Sequence, residues 1–179
     1  MNGPALAVIG ATRGVGLLTA RRAVDEGLAV RALVRPESDT SGLPPEAKVF
    51  RGPVRDTAFL SEALRGCATA AVCLGVNPTR KPVTLFSDTT RALLALASRP
   101  RILLVTGLGA GDSKGHGGFL YDAIFNPLFL RTIYADKDRA EAQLAERSDA
   151  DWLVVRPGFL TQGPETGRYR ILTDLKGIK

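Results

Sequence analysis

Three glycines with the spacing G-x-x-x-G-x-G, at Gly10, Gly14 and Gly16, form the stretch of this sequence best suited to bind an anion. They follow the apolar run Ala5–Ile9 and open a segment with helical periodicity that extends to Glu26. Glycine has no Cβ, so its backbone can approach a ligand closely, and the N–H groups and dipole at a helix start favour negative charge. A strand, a glycine turn and a helix are the context that a dinucleotide pyrophosphate requires. The alternative is a tight structural turn without a ligand.

Two arginines near this turn indicate which dinucleotide it would take. The apolar run that ends at Val34 is followed by Arg35, and no acidic residue occurs there before Glu37. At this position NAD-selective units carry an acid for the ribose hydroxyls, whereas a basic residue accommodates a 2′-phosphate. Arg13 lies inside the glycine turn, and two guanidinium groups converging on one ribose edge favour NADP(H) over NAD(H). Otherwise Arg35 is a solvated residue at a strand end.

Short apolar runs that alternate with amphipathic segments must position these residues. The alternation predicts an α/β fold, a Rossmann-type doubly wound parallel sheet with helices on both faces. The predicted strands are 5–9, 29–34, 47–51, 70–74, 101–106, 152–156 and 169–172. The predicted helices are 14–26, with apolar residues at Val15, Leu18, Ala20 and Val24, then 57–65, 83–98 and an amphipathic stretch over 119–147.

Small residues follow several of these strands, and ligands bind at the carboxyl ends of strands in open α/β sheets. The glycine-rich segment 107–118 follows one strand end and is predicted to be a mobile lid or substrate loop. It contains the only histidine, His116, which is expected to be solvated rather than catalytic. We expect one domain over 1–179, with 107–118 and 158–179 forming a small substrate-side region.

The composition narrows the class of protein. The 179 residues are 45% hydrophobic and 23% charged, which is typical of a soluble globular domain. The net charge of +6 comes from scattered basic residues, which favours a phosphate-rich small ligand over nucleic acid. Cys67 and Cys73 lack metal-ligand spacing, so no metal site is expected, and both are predicted to be buried, reduced thiols. No signal segment or membrane span is recognised, so a cytoplasmic protein is expected.

Taken together, the motifs resemble the atypical short-chain dehydrogenase/reductase family, in particular its NmrA-like NAD(P)H-binding branch, which includes the biliverdin-IXβ/flavin reductases. The resemblance covers nearly the whole chain. It depends on the glycine turn, on Arg35 and on four later stretches: Leu74-Gly75, the run from Val105 to Ser113, Asp136 to Glu141 and Trp152 to Thr161.

The resemblance implies a set of cofactor-binding residues. Pyrophosphate would be held by the first turn, a 2′-phosphate by Arg35, the adenine by the backbone near Val54 and the adenosine ribose by Leu74 and Gly75. The nicotinamide would lie against Pro157 and the residues that follow it. Pro53 departs from the family pattern, since relatives commonly carry an aspartate there. The full implied set is Gly10, Thr12, Arg13, Gly14, Val15, Gly16, Arg35, Val54, Leu74, Gly75, Thr106, Lys137, Pro157, Gly158 and Phe159.

The expected catalytic residues are displaced. Typical family members use a serine after the fifth strand and a Tyr-x-x-x-Lys pair on the next helix, where lysine lowers the tyrosine pKa for proton exchange. This sequence has Thr106 at the serine position, and Tyr134 lies only three residues before Lys137. Thr106, Tyr134 and Lys137 are the catalytic candidates. The alternative makes Tyr134 a packing aromatic and Lys137 a ribose ligand or surface charge.

Three functional hypotheses follow. The first is an NADPH-dependent oxidoreductase that transfers hydride directly to a planar acceptor such as a flavin, a quinone or a biliverdin-like molecule. The second is a non-catalytic NADP(H)-binding sensor or interaction subunit, and the third a carbonyl reductase using Tyr134 and Lys137. The chain is short relative to the family, so part of the substrate side is missing, shortened or supplied by a protein partner or a second copy. Aromatic walls for an acceptor are expected from Phe119, Tyr121, Phe125, Phe129 and Phe159.

Overall fold

The fold is a parallel β-sheet with helices on both faces, in a computed structural model that describes residues 5–113, 130–158, 160–161, 163 and 166–173. The described strands pair in the order β3-β2-β1-β4-β5-β6, and every pairing is parallel. This order confirms the predicted Rossmann-type sheet. The strands are β1 (Ala5–Ile9), β2 (Val30–Val34), β3 (Lys48–Arg51), β4 (Cys67–Val72), β5 (Arg101–Val105) and β6 (Trp152–Val155).

Two buried clusters lie on opposite faces of the sheet. On one face, helix α1 (Gly14–Asp25) packs Ala20 and Ala23 against the apolar side chains of β1 and β2. The larger cluster on the other face takes in side chains of three further helices, so helices cover both faces as predicted. These helices are α2 (Thr57–Ala63), α3 (Leu85–Leu94) and α4 (Arg131–Ala145).

A buried aspartate joins α4 to α3. The Asp136 side chain is fully buried and accepts hydrogen bonds from the Phe86 N–H at 2.8 Å and the Ser87 hydroxyl at 2.5 Å. These groups belong to the first turn of α3, where backbone N–H groups lack partners within the helix. Arg139 donates to the same carboxylate at 3.0 Å, so the buried negative charge is paired. Asp136 therefore holds the start of α3 against α4.

The buried face of α1 is formed by its small residues and not by its larger apolar ones. Leu18 is 64% exposed and Val15 36% exposed, whereas Gly16, Ala20 and Ala23 are buried. The first turn of α1 lies so close to the preceding backbone that only small residues fit against it, which a pattern of large apolar residues does not reveal.

The predicted strand at 169–172 is wrong. Residues 166–172 have no regular secondary structure, and Tyr169 and Ile171 are 81% and 80% exposed. Among the described residues the sheet ends at β6, so these apolar residues have no neighbouring strand to pair with.

The predicted stretch 119–147 contains α4, while residues 114–129 lie outside the described part of the chain.

Candidate functional site

A cavity of about 870 Å³ opens at the carboxyl ends of the strands. The order of the strands reverses there, because β2 and β3 lie on one side of β1 whereas β4, β5 and β6 lie on the other. Ligands of open α/β sheets bind at such switch points, and the volume lies within the usual range for small-molecule sites. The described lining residues are Gly10, Thr12, Arg13, Gly14, Val15, Leu33, Val34, Arg35, Pro36, Glu37, Ser38, Gly52, Pro53, Val54, Arg55, Cys73, Leu74, Gly75, Val76, Asn77, Leu85, Val105, Thr106, Pro157 and Leu160.

The glycine turn after β1 depends on its glycines for conformation and for space. Gly10 has a φ of +86°, and a Cβ there would lie 2.8 Å from the Cys73 carbonyl oxygen. Gly14 has a φ of +54° and nothing within 4 Å of its Cβ position. A Cβ on Gly16 would collide with the Gly10 carbonyl, so this glycine allows α1 to approach the turn. Gly14 thus leaves open space beside the cavity, while Gly10 allows the turn to approach the end of β4.

The start of α1 offers backbone donors to this open space. Arg13 is the N-cap residue, its side chain makes no capping hydrogen bond, and the first turn of the helix contains no acidic residue. The first N–H groups of a helix have no partner within it and are readily satisfied by an anion. Gly14 and Val15 of this turn line the cavity. The residues present thus fit a phosphate group.

Charged side chains surround the other side of the cavity, beyond the ends of β2 and β3. Arg35, Glu37 and Arg55 all line it. The Arg35 Nε atom lies 3.4 Å from a Glu37 carboxylate oxygen, and both side chains are about two-thirds or more exposed. An exposed pair of this kind is weak and open to exchange. Arg35 can therefore leave Glu37 for a bound anion.

Near the ends of β5 and β6, the Thr106 hydroxyl takes part in a buried hydrogen-bond network. Thr106 is 6% exposed and donates a 2.6 Å hydrogen bond from Oγ1 to Oε1 of Glu141. The Arg156 guanidinium donates to both carboxylate oxygens of Glu141, at 3.2 Å from Nε and 2.7 Å from Nη2. Because a hydroxyl has one proton, the Thr106 hydroxyl cannot donate to a ligand while it donates to Glu141.

Tyr134 and Lys137 hold the backbone that follows β5. The Lys137 ammonium donates to the Thr106 carbonyl at 2.7 Å, and the Tyr134 hydroxyl donates to the Leu108 carbonyl at 3.3 Å. The ammonium also lies 4.8 Å from the centre of the Tyr134 ring. Burial lowers the pKa of Lys137, and the nearby Glu141 charge opposes that shift. Neither side chain is among the described residues that line the cavity.

Packing also fixes the start of the predicted lid. Leu108 N–H donates to the Pro157 carbonyl at 2.9 Å, and Gly111 N–H donates to an Asp138 carboxylate oxygen at 2.7 Å. Ser113 is fully buried, and its hydroxyl donates to the Ala110 carbonyl. Residues 107–113 thus form a packed turn rather than an extended loop. The rest of the segment, with His116, lies outside the described residues.

Most of the sequence-predicted cofactor residues meet around this one cavity. Gly16, Lys137 and Gly158 do not line it, although Gly16 and Lys137 support residues that do. Phe159 and the proposed wall residues Phe119, Tyr121, Phe125 and Phe129 lie outside the described part of the chain. The lining residues that do meet here from the predicted set are Gly10, Thr12, Arg13, Gly14, Val15, Arg35, Val54, Leu74, Gly75, Thr106 and Pro157.

Several lining residues were not predicted from the sequence. Three of them, Glu37, Ser38 and Arg55, have polar or charged side chains. A fourth, Cys73, has a half-buried thiol. Burial raises the pKa of Cys73 to about 11, so the thiol is neutral at physiological pH. All four follow or end a strand on the cavity side, which is the signal that could have found them. Cys67 is also only half-buried, so the prediction of two buried thiols is correct only in part.

The described strands form a six-stranded parallel sheet with a glycine turn at its switch point, which is the architecture of the Rossmann class of nucleotide-binding proteins. A family model for NAD(P)H-binding domains matches residues 10–179, and the chain belongs to this family. This membership is consistent with the atypical short-chain dehydrogenase/reductase family, of the biliverdin-reductase-like kind, that the motifs resemble.

The solved structures that resemble it include reductases. ChuY from Escherichia coli O157:H7, an anaerobillin reductase, is 25% identical with a TM-score of 0.74, and the match covers 96% of this chain and 81% of that one. ChuY from strain CFT073 is likewise 25% identical, with the same coverage of both chains and a TM-score of 0.70. Vestitone reductase from alfalfa is 16% identical with a TM-score of 0.63, covering 86% and 56% of the two chains, and shares the fold.

Two features are absent from the described residues. None of their helices is both long and apolar enough to cross a membrane. In the same part of the chain, no three acidic, histidine or cysteine side chains are grouped as metal ligands.

Proposed function

We propose that this protein is an NADPH-dependent oxidoreductase that reduces a planar acceptor, such as a flavin, a quinone or a biliverdin-like molecule. The observation that carries the proposal is that one cavity is lined by two groups of predicted cofactor residues. The glycine turn and Arg35 form one group, and Thr106 and Pro157 form the other. This arrangement suits an extended dinucleotide with its pyrophosphate on the α1 N-terminus. The similarity to an anaerobillin reductase supports the reductase class.

The described residues have separate roles in this proposal. The turn from Gly10 to Val15 binds the pyrophosphate, and Arg35 binds the 2′-phosphate. Leu74 and Gly75 border the adenosine ribose, while Val54 borders the adenine. When bound, NADPH supplies a hydride that the acceptor takes up with a proton from solvent, so the acceptor gains two electrons.

Proton donation by the protein is not required for an electron-poor acceptor. The Thr106 hydroxyl already donates to Glu141, and Lys137 and Tyr134 already donate to backbone carbonyls. What the chain contributes is a fixed cofactor and a positioned acceptor. The same contacts count against a carbonyl reductase that uses Tyr134 and Lys137.

The test is anaerobic oxidation of NADPH in the presence of flavin, quinone and biliverdin acceptors. Arg35→Ala should raise the KM for NADPH about tenfold, since a charge-assisted contact to phosphate is lost. Arg22→Ala is the matched control, because Arg22 is an exposed arginine paired with Glu26 on α1 and does not line the cavity. Tight NADPH binding without turnover of any acceptor would overturn the proposal.

That outcome would instead favour a non-catalytic NADP(H)-binding sensor. This second candidate is favoured by the hydrogen bonds that three side chains already donate within the protein. They belong to Thr106, Tyr134 and Lys137. A sensor should bind a partner protein to an extent that changes with the NADP⁺/NADPH ratio, as a pull-down at two fixed ratios would detect.

A further inference from the structure

The loop that follows β2 is held in shape by an arginine that does not line the cavity. Arg51 ends β3 and pairs in register with Val34, the last residue of β2. Its Nη1 group donates to the Pro36 and Ser38 carbonyls, both at 2.9 Å, and its Nη2 group donates to the Thr40 hydroxyl at 2.9 Å. One guanidinium thus binds three acceptors on five consecutive residues.

This loop is also folded on itself. The Ser38 N–H donates to the Arg35 carbonyl at 3.1 Å, which closes a turn with Pro36 at its second position, where proline is favoured. Asp39 accepts hydrogen bonds from the N–H and hydroxyl of Ser41 at 2.9 and 3.0 Å. Those bonds lower the pKa of Asp39, and the Arg51 charge lowers it further. Hydrogen bonds from Arg51 and within the loop therefore hold its first half in place.

The residues so ordered are those on the cavity side. Arg35, Glu37 and Ser38 line the cavity, whereas Arg51 and Thr40 do not. Two of the three acceptors of Arg51 are backbone carbonyls on either side of Glu37, so their positions fix the path of the loop past Arg35. In an exposed loop such ordering in advance lowers the entropy lost on binding.

We infer that Arg51 is a positioning residue for discrimination between NADPH and NADH, acting through Arg35 and the 36–38 backbone rather than by contact with the ligand. The inference rests on the proposed use of NADPH. Arg35 is exposed, so it binds a 2′-phosphate selectively only while the loop that carries it is held in place. Arg51 is the residue that holds this loop.

A matched control exists within the same loop. Arg21 of α1 donates to the Gly42 carbonyl from Nε at 3.2 Å and from Nη2 at 2.8 Å. Neither Arg21 nor Gly42 lines the cavity. Arg21→Ala thus removes an arginine contact of the same kind from the far end of the loop.

The experiment measures dissociation constants for NADP⁺ and NAD⁺ by calorimetry on the wild-type protein and on Arg51→Ala, Arg21→Ala, Arg35→Ala and the Arg35→Ala/Arg51→Ala double variant. Arg51→Ala should weaken NADP⁺ binding about tenfold through loss of preorganisation, with NAD⁺ changed less than about twofold. Arg21→Ala should leave the ratio of the two constants unchanged. Arg51→Lys, which keeps the charge but offers a single donor group, should lose part of the selectivity and serves if the alanine variant does not fold.

The double variant separates positioning from direct contact. If Arg51 acts through Arg35, the double variant should bind NADP⁺ no more weakly than Arg35→Ala alone. Additive losses would overturn the positioning role, as would an unchanged NADP⁺/NAD⁺ ratio in both Arg51 variants. Failure of the wild-type protein to bind either nucleotide would instead overturn the proposed function, together with the inference that depends on it.

Discussion

The Thr106 hydroxyl and the Glu141 carboxylate are joined by a buried 2.6 Å hydrogen bond that ties the end of β5 to the middle of α4. Glu141 is 7% exposed and is also paired with Arg156, which follows β6. One carboxylate thus connects a helix to two neighbouring strand ends. Thr106, which the sequence resemblance predicts to occupy the position of a catalytic serine, is here part of a structural network.

We predict that removal of this carboxylate destabilises the fold. Glu141→Ala removes the buried carboxylate that accepts hydrogen bonds from both Thr106 and Arg156, and should lower the free energy of unfolding by about 3 kcal/mol. Glu141→Gln keeps an acceptor for Thr106 and should cost less. Urea denaturation measures both, with Glu146→Ala as a control on an exposed residue at the end of the same helix. Equal stability of Glu141→Ala and Glu146→Ala would contradict the prediction.

A second prediction concerns the acid beside the proposed 2′-phosphate site. Glu37 lies 3.4 Å from Arg35, so it would compete with a bound phosphate for the guanidinium. Glu37→Gln should tighten NADP⁺ binding roughly two- to fivefold, which is the range expected for an exposed ion pair. The gain should shrink at high salt, since exposed charges are screened. Calorimetric titration at two salt concentrations checks both statements, and weaker NADP⁺ binding in the variant would show that Glu37 assists the site.

A third prediction tests the close approach of α1 to the turn. A Cβ on Gly16 would lie 3.1 Å from the Cys73 Cβ and would collide with the Gly10 carbonyl. Gly16→Ala should therefore lower the free energy of unfolding by about 1 to 3 kcal/mol and weaken NADP⁺ binding. Gly42→Ala is the control, because the nearest described atoms to its Cβ position, on Arg21 and Leu17, lie at 3.6 and 3.7 Å and Gly42 does not line the cavity. Thermal unfolding and NADP⁺ titration on both variants provide the comparison, in which unaltered binding by Gly16→Ala would be the contrary result.

A fourth prediction uses the cavity thiol as a reporter. Burial raises the pKa of Cys73 from 9.0 to about 11. Since each pKa unit is a factor of ten, the thiolate fraction near neutral pH should be roughly a hundredfold below that of an unshifted thiol. In a Cys67→Ser background, alkylation by iodoacetamide should accelerate about tenfold per pH unit between about pH 8 and about pH 10.

Cofactor binding provides the control for that experiment. Cys73 lines the cavity, so saturating NADP⁺ should slow its alkylation, whereas Cys67 in a Cys73→Ser background should be unaffected because it does not line the cavity. A rate for Cys73 that levels off below about pH 9 would contradict the raised pKa. Equal rates with and without NADP⁺ would contradict the placement of the cofactor.

The sequence predicted the sheet and most of the proposed cofactor site because both depend on local signals. Apolar runs with glycine or charged residues at their ends identify strands and the positions that follow them, as at Gly10, Arg35 and Gly75. Arg51 and Glu141 were not predicted to act on the site. Their partners lie in other segments, and no local pattern links Arg51 to Pro36 or Glu141 to Thr106. The prediction of a strand at 169–172 is wrong, because a strand requires a neighbour to pair with and these residues have none among the described strands.

The position of β1 between β2 and β4 has a consequence for how the chain folds. Its second edge pairs with Cys67–Val72, so the ladder at the centre of the sheet closes only after about sixty further residues have been made. Until then an apolar strand with an unpaired edge precedes the glycine turn, and such edges favour association with other chains. The switch point that makes room for a dinucleotide therefore also makes the nascent chain dependent on rapid completion of β4.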